Sequence, residues 1–383
     1  MKTLRILKQT AAALLAAVLL AVSPSCGVLV MREADPETAP ASDGLLSQSR
    51  SAAPAQEGGS SGPQLYTVEE DPEEEPVVTF AIAGDILLDR FIISDAARKA
   101  GQGQTYSFLK TVSGIYMNLE NADVTIGFVS SAVQPANDTD PTHRTPGEAL
   151  DTLSNAGYDV LNTLAWNDDG GTLAQYGISG LSIAEGGTNR LDITEKGITA
   201  ALVAVGGEAY PIGSDAVNAQ LGKAKEESDI VIVMADWDPG MTSGEQCAAA
   251  YYMGEAGADI IIGTGERIGA VDWMDRLDGT KTLVAYSLGN LLSTSRNYEN
   301  LTGGIFSFTV EKKNGETAVR NVVLTPTFTH LERARKNVQV FSLSAYRDDL
   351  AGTHYISGLS AEGLVSYVRS IVPAAYLLPE YRR

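Results

Sequence analysis

From Val77 onward, short apolar runs alternate with stretches of helical periodicity. The runs are Val77–Ala83, Val124–Val129, Val160–Ala165, Ile198–Val205, Ile230–Ala235, Ile260–Ile262, Leu283–Leu288, Ile305–Val310 and Val322–Leu324. Continuous apolar segments of this length, separated by helices, predict buried strands and an α/β fold. Two helix starts are legible as capping boxes, Thr145 with Glu148 (Pro146 at the first helical position) and Ser243 with Gln246. Both helices end on the same exit, Ala156-Gly157-Tyr158-Asp159 and Ala256-Gly257-Ala258-Asp259. Ala122-Asp123 and Ser228-Asp229 lead into strands in the same way, so an Asp precedes a strand four times. In open α/β sheets the loops after the strands build the ligand site. These are Gly84-Asp85, Phe128–Ser131, Trp166–Gly171, Asp236–Gly240 and Gly263–Arg267.

The first 76 residues have a different texture. Lys2, Arg5 and Lys8 precede an apolar run from Ala11 to Val22, the layout of an export signal. Cys26 stands where a lipoprotein is acylated, so residues 1–32 are a signal peptide or a membrane or lipid anchor. Lipid-anchored, membrane-anchored and freely secreted forms stay open, and each puts the rest of the chain outside the cytoplasm. Residues 33–76 carry eleven acids against Arg50 and few large apolar groups, which predicts a disordered acidic linker. A folded domain is then expected over 77–330, with 331–383 as a C-terminal extension packing on it through a strand and a terminal helix.

Of the formal net charge of −20, residues 1–32 hold +4 and 33–76 hold −10, leaving −14 on the remainder. Phosphate backbones are gripped by Lys and Arg, so nucleic acid is excluded as a partner. Three histidines in 383 residues are too few for a histidine-rich two-metal site. His143, His330 and His354 read as surface or loop imidazoles with no shared face, and Cys247, beside three alanines, as a small buried helix residue.

Five ordered segments resemble the CapA family of bacterial capsule and poly-γ-glutamate synthesis proteins. They are Thr79–Arg90 (TFAIAGDILLDR), Arg144-Thr145-Pro146, Ala156–Asn162 (AGYDVLN), Ala256–Gly263 (AGADIIIG) and Tyr286–Asn290 (YSLGN). The resemblance implies a four-layer α/β/β/α sandwich of the metallo-dependent phosphatase type, with metal ligands on the five loops above. At those positions the chain departs from the family. Asn-Leu-Glu falls on Phe128-Val129-Ser130, the literal Asn118-Leu119-Glu120 reading as helix. Asn-Asn-His falls on Ala165-Trp166-Asn167 or Trp166-Asn167-Asp168, His-Trp-Gly on Asp236-Trp237-Asp238, and Gly-His-His-Pro-His on Gly263–Arg267. Of the family's ligands Asp85 is retained and the histidines are gone.

Two readings follow. One is an exported, catalytically degenerate CapA-like protein without a cofactor. It binds a cell-envelope polymer or a protein partner, with Trp166 and Trp237 as aromatic platforms and Glu266 and Arg267 as polar contacts, and takes part in capsule or poly-γ-glutamate synthesis or anchoring. The other is a metal-dependent phosphoesterase-like or amide hydrolase. It would hold calcium, magnesium or manganese on an all-oxygen set drawn from Asp85, Asp89, Asn167, Asp168, Asp236, Asp238 and Glu266.

Overall fold

The computed structural model describes residues 75–133, 144–164, 166, 168 and 171–382. The anchor, Cys26 and nearly all of the linker lie outside these residues, as do His143 and Asn167. No helix among the described residues is long and apolar enough to cross a membrane.

The chain enters on β1 (Val77–Ile86), followed by β2 (Val124–Phe128), β3 (Ala132–Val133), β4 (Arg144–Thr145), β5 (Val160–Asn162) and β6 (Ser179–Leu181). Then come β7 (Arg190–Glu195), β8 (Ile198–Gly206), β9 (Ile230–Asp236), β10 (Ile260–Gly263), β11 (Val271–Asp275) and β12 (Lys281–Ala285). The last four are β13 (Asn290–Leu292), β14 (Thr302–Lys313), β15 (Glu316–Glu332) and β16 (Lys336–Ser342). One sheet has the order β16-β15-β14-β1-β2-β5-β6, with β13 paired to the end of β1, and the second has the order β11-β12-β10-β9-β8-β7. In each sheet the central strands are parallel and antiparallel strands close at least one edge.

Alternation along β8, β9 and β10 explains the layering. Ala200, Leu202, Ile230, Ile232, Met234, Ile260 and Ile262 join the first sheet's Phe80, Ile82 and Ile126 in one core. Their odd-numbered neighbours Val203, Val205, Val231, Val233 and Ile261 face the other way. There they meet Val217, Leu221 and Ala224 of the helix Asp215–Glu227, and Cys247, Ala250 and Met253 of the helix Ser243–Glu255. Each fully buried Ile or Val contributes roughly 1.5–3 kcal/mol. The helices Arg90–Lys99 and Gly147–Asn155 bring Ile92, Ile93, Leu150 and Leu153 to the first sheet's core, completing the four-layer α/β/β/α sandwich.

The Asp before each strand has a structural reason. Asp123, Asp159, Asp229 and Asp259 each donate their own N–H to a carbonyl on the adjacent strand, those of Thr79, Thr125, Thr199 and Val231, at 2.9 Å. The same four residues return their N–H to the Asp carboxylate at 2.7–2.9 Å. One Asp thus satisfies the first backbone pair of a strand edge beyond the end of its ladder.

Several expectations shift. Thr145 does not cap: it lies in β4, and its hydroxyl donates to Ser131 O, leaving Pro146 to open the next helix. The second box forms one residue earlier, between Thr242 and Glu245, because both registers fit the capping pattern. Gly157 and Gly257 do terminate their helices, at φ +93° and +123°. The boundary at 330 falls inside β15, which runs through to Glu332 and continues into β16 of the same sheet; the terminal helix forms at Ala361–Arg369.

His330 and His354 are not surface groups. They are 4% and 5% exposed, with ring centroids 5.4 Å apart, because the chain after β16 folds back onto β15.

Candidate functional site

The site begins where β1 ends. Gly84 passes so close to β13 that a Cβ there would lie 2.4 Å from Gly289 O. Asp85 donates its N–H to that carbonyl at 3.0 Å and pairs with Asn290. Its carboxylate accepts the Ser130 N–H at 3.0 Å and the Ser130 hydroxyl on the other oxygen. Burial raises the Asp85 carboxyl above its ordinary value; the Ser130 hydrogen bonds oppose this, and the charge of Asp236 adds to the rise.

Asp236 closes β9 opposite. Its carboxylate accepts the Thr264 hydroxyl at 2.6 Å, and it too is raised, by burial and then by Asp238. Beyond Thr264, the loop is held by Asn300. The Asn300 side chain donates to Glu266 at 2.6 Å and accepts from Arg267 Nε at 3.0 Å. Its carbonyl accepts from Asn290 at 3.0 Å and from the Ser293 hydroxyl at 2.7 Å.

Asp85, Ser130, Asp236, Thr264, Glu266, Asn290 and Asn300 line one cleft of about 490 Å³, together with Asp89, Ser293–Ser295 and Arg335. A larger groove of about 750 Å³ lies at the strand entrances. Its cations are committed: Lys225 and Arg276 pair with Asp259, Lys281 with Asp275 and Arg320 with Glu311.

The other expected ligands disperse. Asp168 accepts the Thr172 and Leu173 N–H groups at 2.7 and 2.9 Å, so it fastens the short helix Leu173–Tyr176 and lies away from the cleft. Asp238 is exposed outside it. Both oxygens of Asp89 are spent, one capping the helix Arg90–Lys99 and the other accepting the Thr294 hydroxyl. Trp237 is 8% exposed, with its indole N–H donating to Tyr286 O at 2.8 Å. It packs between β9 and the 286–289 loop and offers no platform to solvent. Trp166 is half-buried against the core and does not line the cleft.

Sequence reasoning placed Ser130 in the right register but gave it no role. It also missed Thr264, Asn290, Asn300 and Arg335. For Asn290 a signal existed in the Ser-Leu-Gly-Asn match; Arg335, on a hairpin far along the chain, had none.

A two-metal centre needs several carboxylates or imidazoles converging on one point. Here Asp85 and Asp236 each accept a protein hydroxyl, and the two described imidazoles lie in the core behind β15. No three His, Cys, Asp or Glu side chains among the described residues are grouped to hold a metal ion. The described residues do not fit such a centre.

Residues 169–295, about a third of the chain, match the family model for bacterial capsule synthesis protein PGA_cap. The match spans the second sheet and the loops carrying Asp236, Glu266 and Asn290, and bears out the CapA resemblance. A search of curated proteins finds no match. Among solved structures, a hypothetical protein from Thermus thermophilus is 14% identical, covering 65% of this chain and 99% of that one at a TM-score of 0.41. Haemophilus influenzae NAD nucleotidase is 8% identical, with coverages of 77% and 67% and a TM-score of 0.40. A calcineurin-like phosphoesterase from Bacillus subtilis is 11% identical, with coverages of 77% and 96% and a TM-score of 0.36.

Proposed function

We propose that this CapA-like chain is an extracytoplasmic binding protein whose hydrolytic centre has been dismantled, tethered to the cell envelope through its first 32 residues and acting there on a polymer or protein ligand. The observation that carries the reading is the pair of contacts Asp85–Ser130 and Asp236–Thr264. In each, a protein hydroxyl holds the carboxylate, and among the described residues no third His, Cys, Asp or Glu side chain joins them to complete a metal site. The cleft keeps its floor and walls, so recognition survives where metal activation of water does not.

Calorimetric titration of the protein with calcium, magnesium and manganese tests this. We expect no heat, and no hydrolysis of a chromogenic phosphodiester. Turnover that needs manganese and disappears in Asp85→Asn would overturn the reading.

One observation favours the alternative of a hard-cation hydrolase: Asp85 and Asp236 are both raised, and a cation between them would relieve their repulsion. The same titration decides between the two. Retention of poly-γ-glutamate on the immobilised protein at low salt, absent after blocking the cleft by Ser130→Trp, would name the polymer.

A further inference from the structure

Arg335 is the one cation among the described residues lining the cleft. It is half-buried, its guanidinium lies 4.1 Å from the centroid of the Phe91 ring, and it lines the cleft. Unlike Lys225, Arg276 or Arg190, it makes no ion pair and no side-chain hydrogen bond with any described residue. A guanidinium carries five N–H donors, and stacking on a ring leaves its edge free to meet a carboxylate in bidentate fashion.

A short hairpin turn presents it. Ala334 and Arg335, in the three-residue turn between β15 and β16, sit at φ +61° and +52°, a region non-glycine residues seldom occupy. The turn thereby fixes the backbone from which the Arg335 side chain leaves.

Asp85 and Asp236 line the same cleft. Ser130 donates once to each Asp85 oxygen and Thr264 once to one Asp236 oxygen; a carboxylate has about four lone-pair sites, so both still accept hydrogen bonds. A divalent cation wants six or more oxygens around it, whereas a primary ammonium is satisfied by three acceptors at hydrogen-bond distance. The cleft therefore has an acidic pole and a single uncommitted basic pole.

We infer that the cleft binds a small zwitterion of the α-amino acid class, its ammonium on Asp85 and Asp236 and its carboxylate on the Arg335 guanidinium. This rests on the metal-free reading of the site above. Both poles are needed: a dicarboxylate meets repulsion at Asp85, and an amine leaves Arg335 unmatched.

The test is calorimetry on the purified protein with L-alanine, L-glutamate and L-lysine at millimolar concentration, against propionate and propylamine as half-ligands. At least one amino acid is expected to bind about tenfold or more tighter than either half-ligand, a difference of about 1.4 kcal/mol. Arg335→Gln should remove that advantage and Arg335→Lys restore part of it, since lysine keeps the charge without the fork. Asp85→Asn should weaken the amino acid while leaving propionate unchanged or tighter.

Equal binding of propionate and L-alanine, no binding by any of the three amino acids, or wild-type affinity in Arg335→Gln would each overturn the proposal. Failure here with no response to manganese leaves the metal-free reading standing. A manganese response lost in Asp85→Asn removes both.

Discussion

Asp259 and Val231 exchange two hydrogen bonds across neighbouring strands: the Asp259 N–H donates to Val231 O at 2.9 Å, and the Asp259 carboxylate accepts the Val231 N–H at 2.9 Å. Lys225 and Arg276 meet the same carboxylate, at 2.8 and 3.2 Å. Removing it strands one backbone donor and loosens two cations, one of them, Arg276, largely buried. Asp259→Ala should cost about 2–4 kcal/mol in urea unfolding. The equivalent Asp159, whose carboxyl is raised by burial and by nearby Glu195, should cost less when changed to Asn, because among the described residues no cation is paired with it.

The buried histidines give the protein an acid limit. Burial and the neighbouring His330 push His354 from 6.5 down to about 4. Its Nδ1 accepts the Ile356 N–H at 3.0 Å. The native state holds fewer protons than the unfolded chain. This stabilisation is therefore complete above pH 6.5 and is lost as pH falls toward 4, by about 3 kcal/mol. Urea midpoints measured from pH 7 to 4 should fall more steeply in wild type than in His354→Phe, which keeps a ring against Phe328 without the titrating nitrogen. Parallel slopes would refute this.

Gly84 sets the distance between β1 and β13. A Cβ there would lie 2.4 Å from Gly289 O and 2.8 Å from Leu288 O, both backbone atoms that cannot swing away. Gly84→Ala should lower the melting temperature and displace Asp85 from Asn290, costing about 1–3 kcal/mol. If the variant melts with wild type, the approach is looser than described.

Asn300 ties Glu266, Arg267, Asn290 and Ser293 into one wall. Its carbonyl survives substitution, so Asn300→Ala should free only the Glu266 and Arg267 side chains. About 1–2 kcal/mol of stability is expected to go, together with faster proteolysis of the 264–267 loop. Unchanged protease sensitivity would show that the backbone alone holds that loop.

Much of the fold was legible because the central parallel strands are buried on both faces and so read as unbroken apolar runs. Among the strands that went unseen, the edge strands β7 and β11 mix charged and apolar residues, as RLDITE shows, since one side meets water. The register that placed Ser130, Asp236 and Glu266 on the strand exits came from the Asp that opens each strand, and the hydrogen bonds at those Asp residues account for its reliability. Asp168 misled, because an Asp on a loop serves a backbone N–H as readily as a ligand.

By itself, the chain's order of residues determined the α/β layering, the strand-exit loops and the absence of histidine from them, since these depend on local periodicity and residue type. Tertiary structure alone decided that His330 and His354 meet, that Asn300 holds the Glu266 loop, and that Arg335 lines one cleft with Asp85 and Asp236. Those partners are 24, 34 and up to 250 residues apart, and what brings them together is sheet order and chain return, for which no short-range pattern of side chains carries a signal.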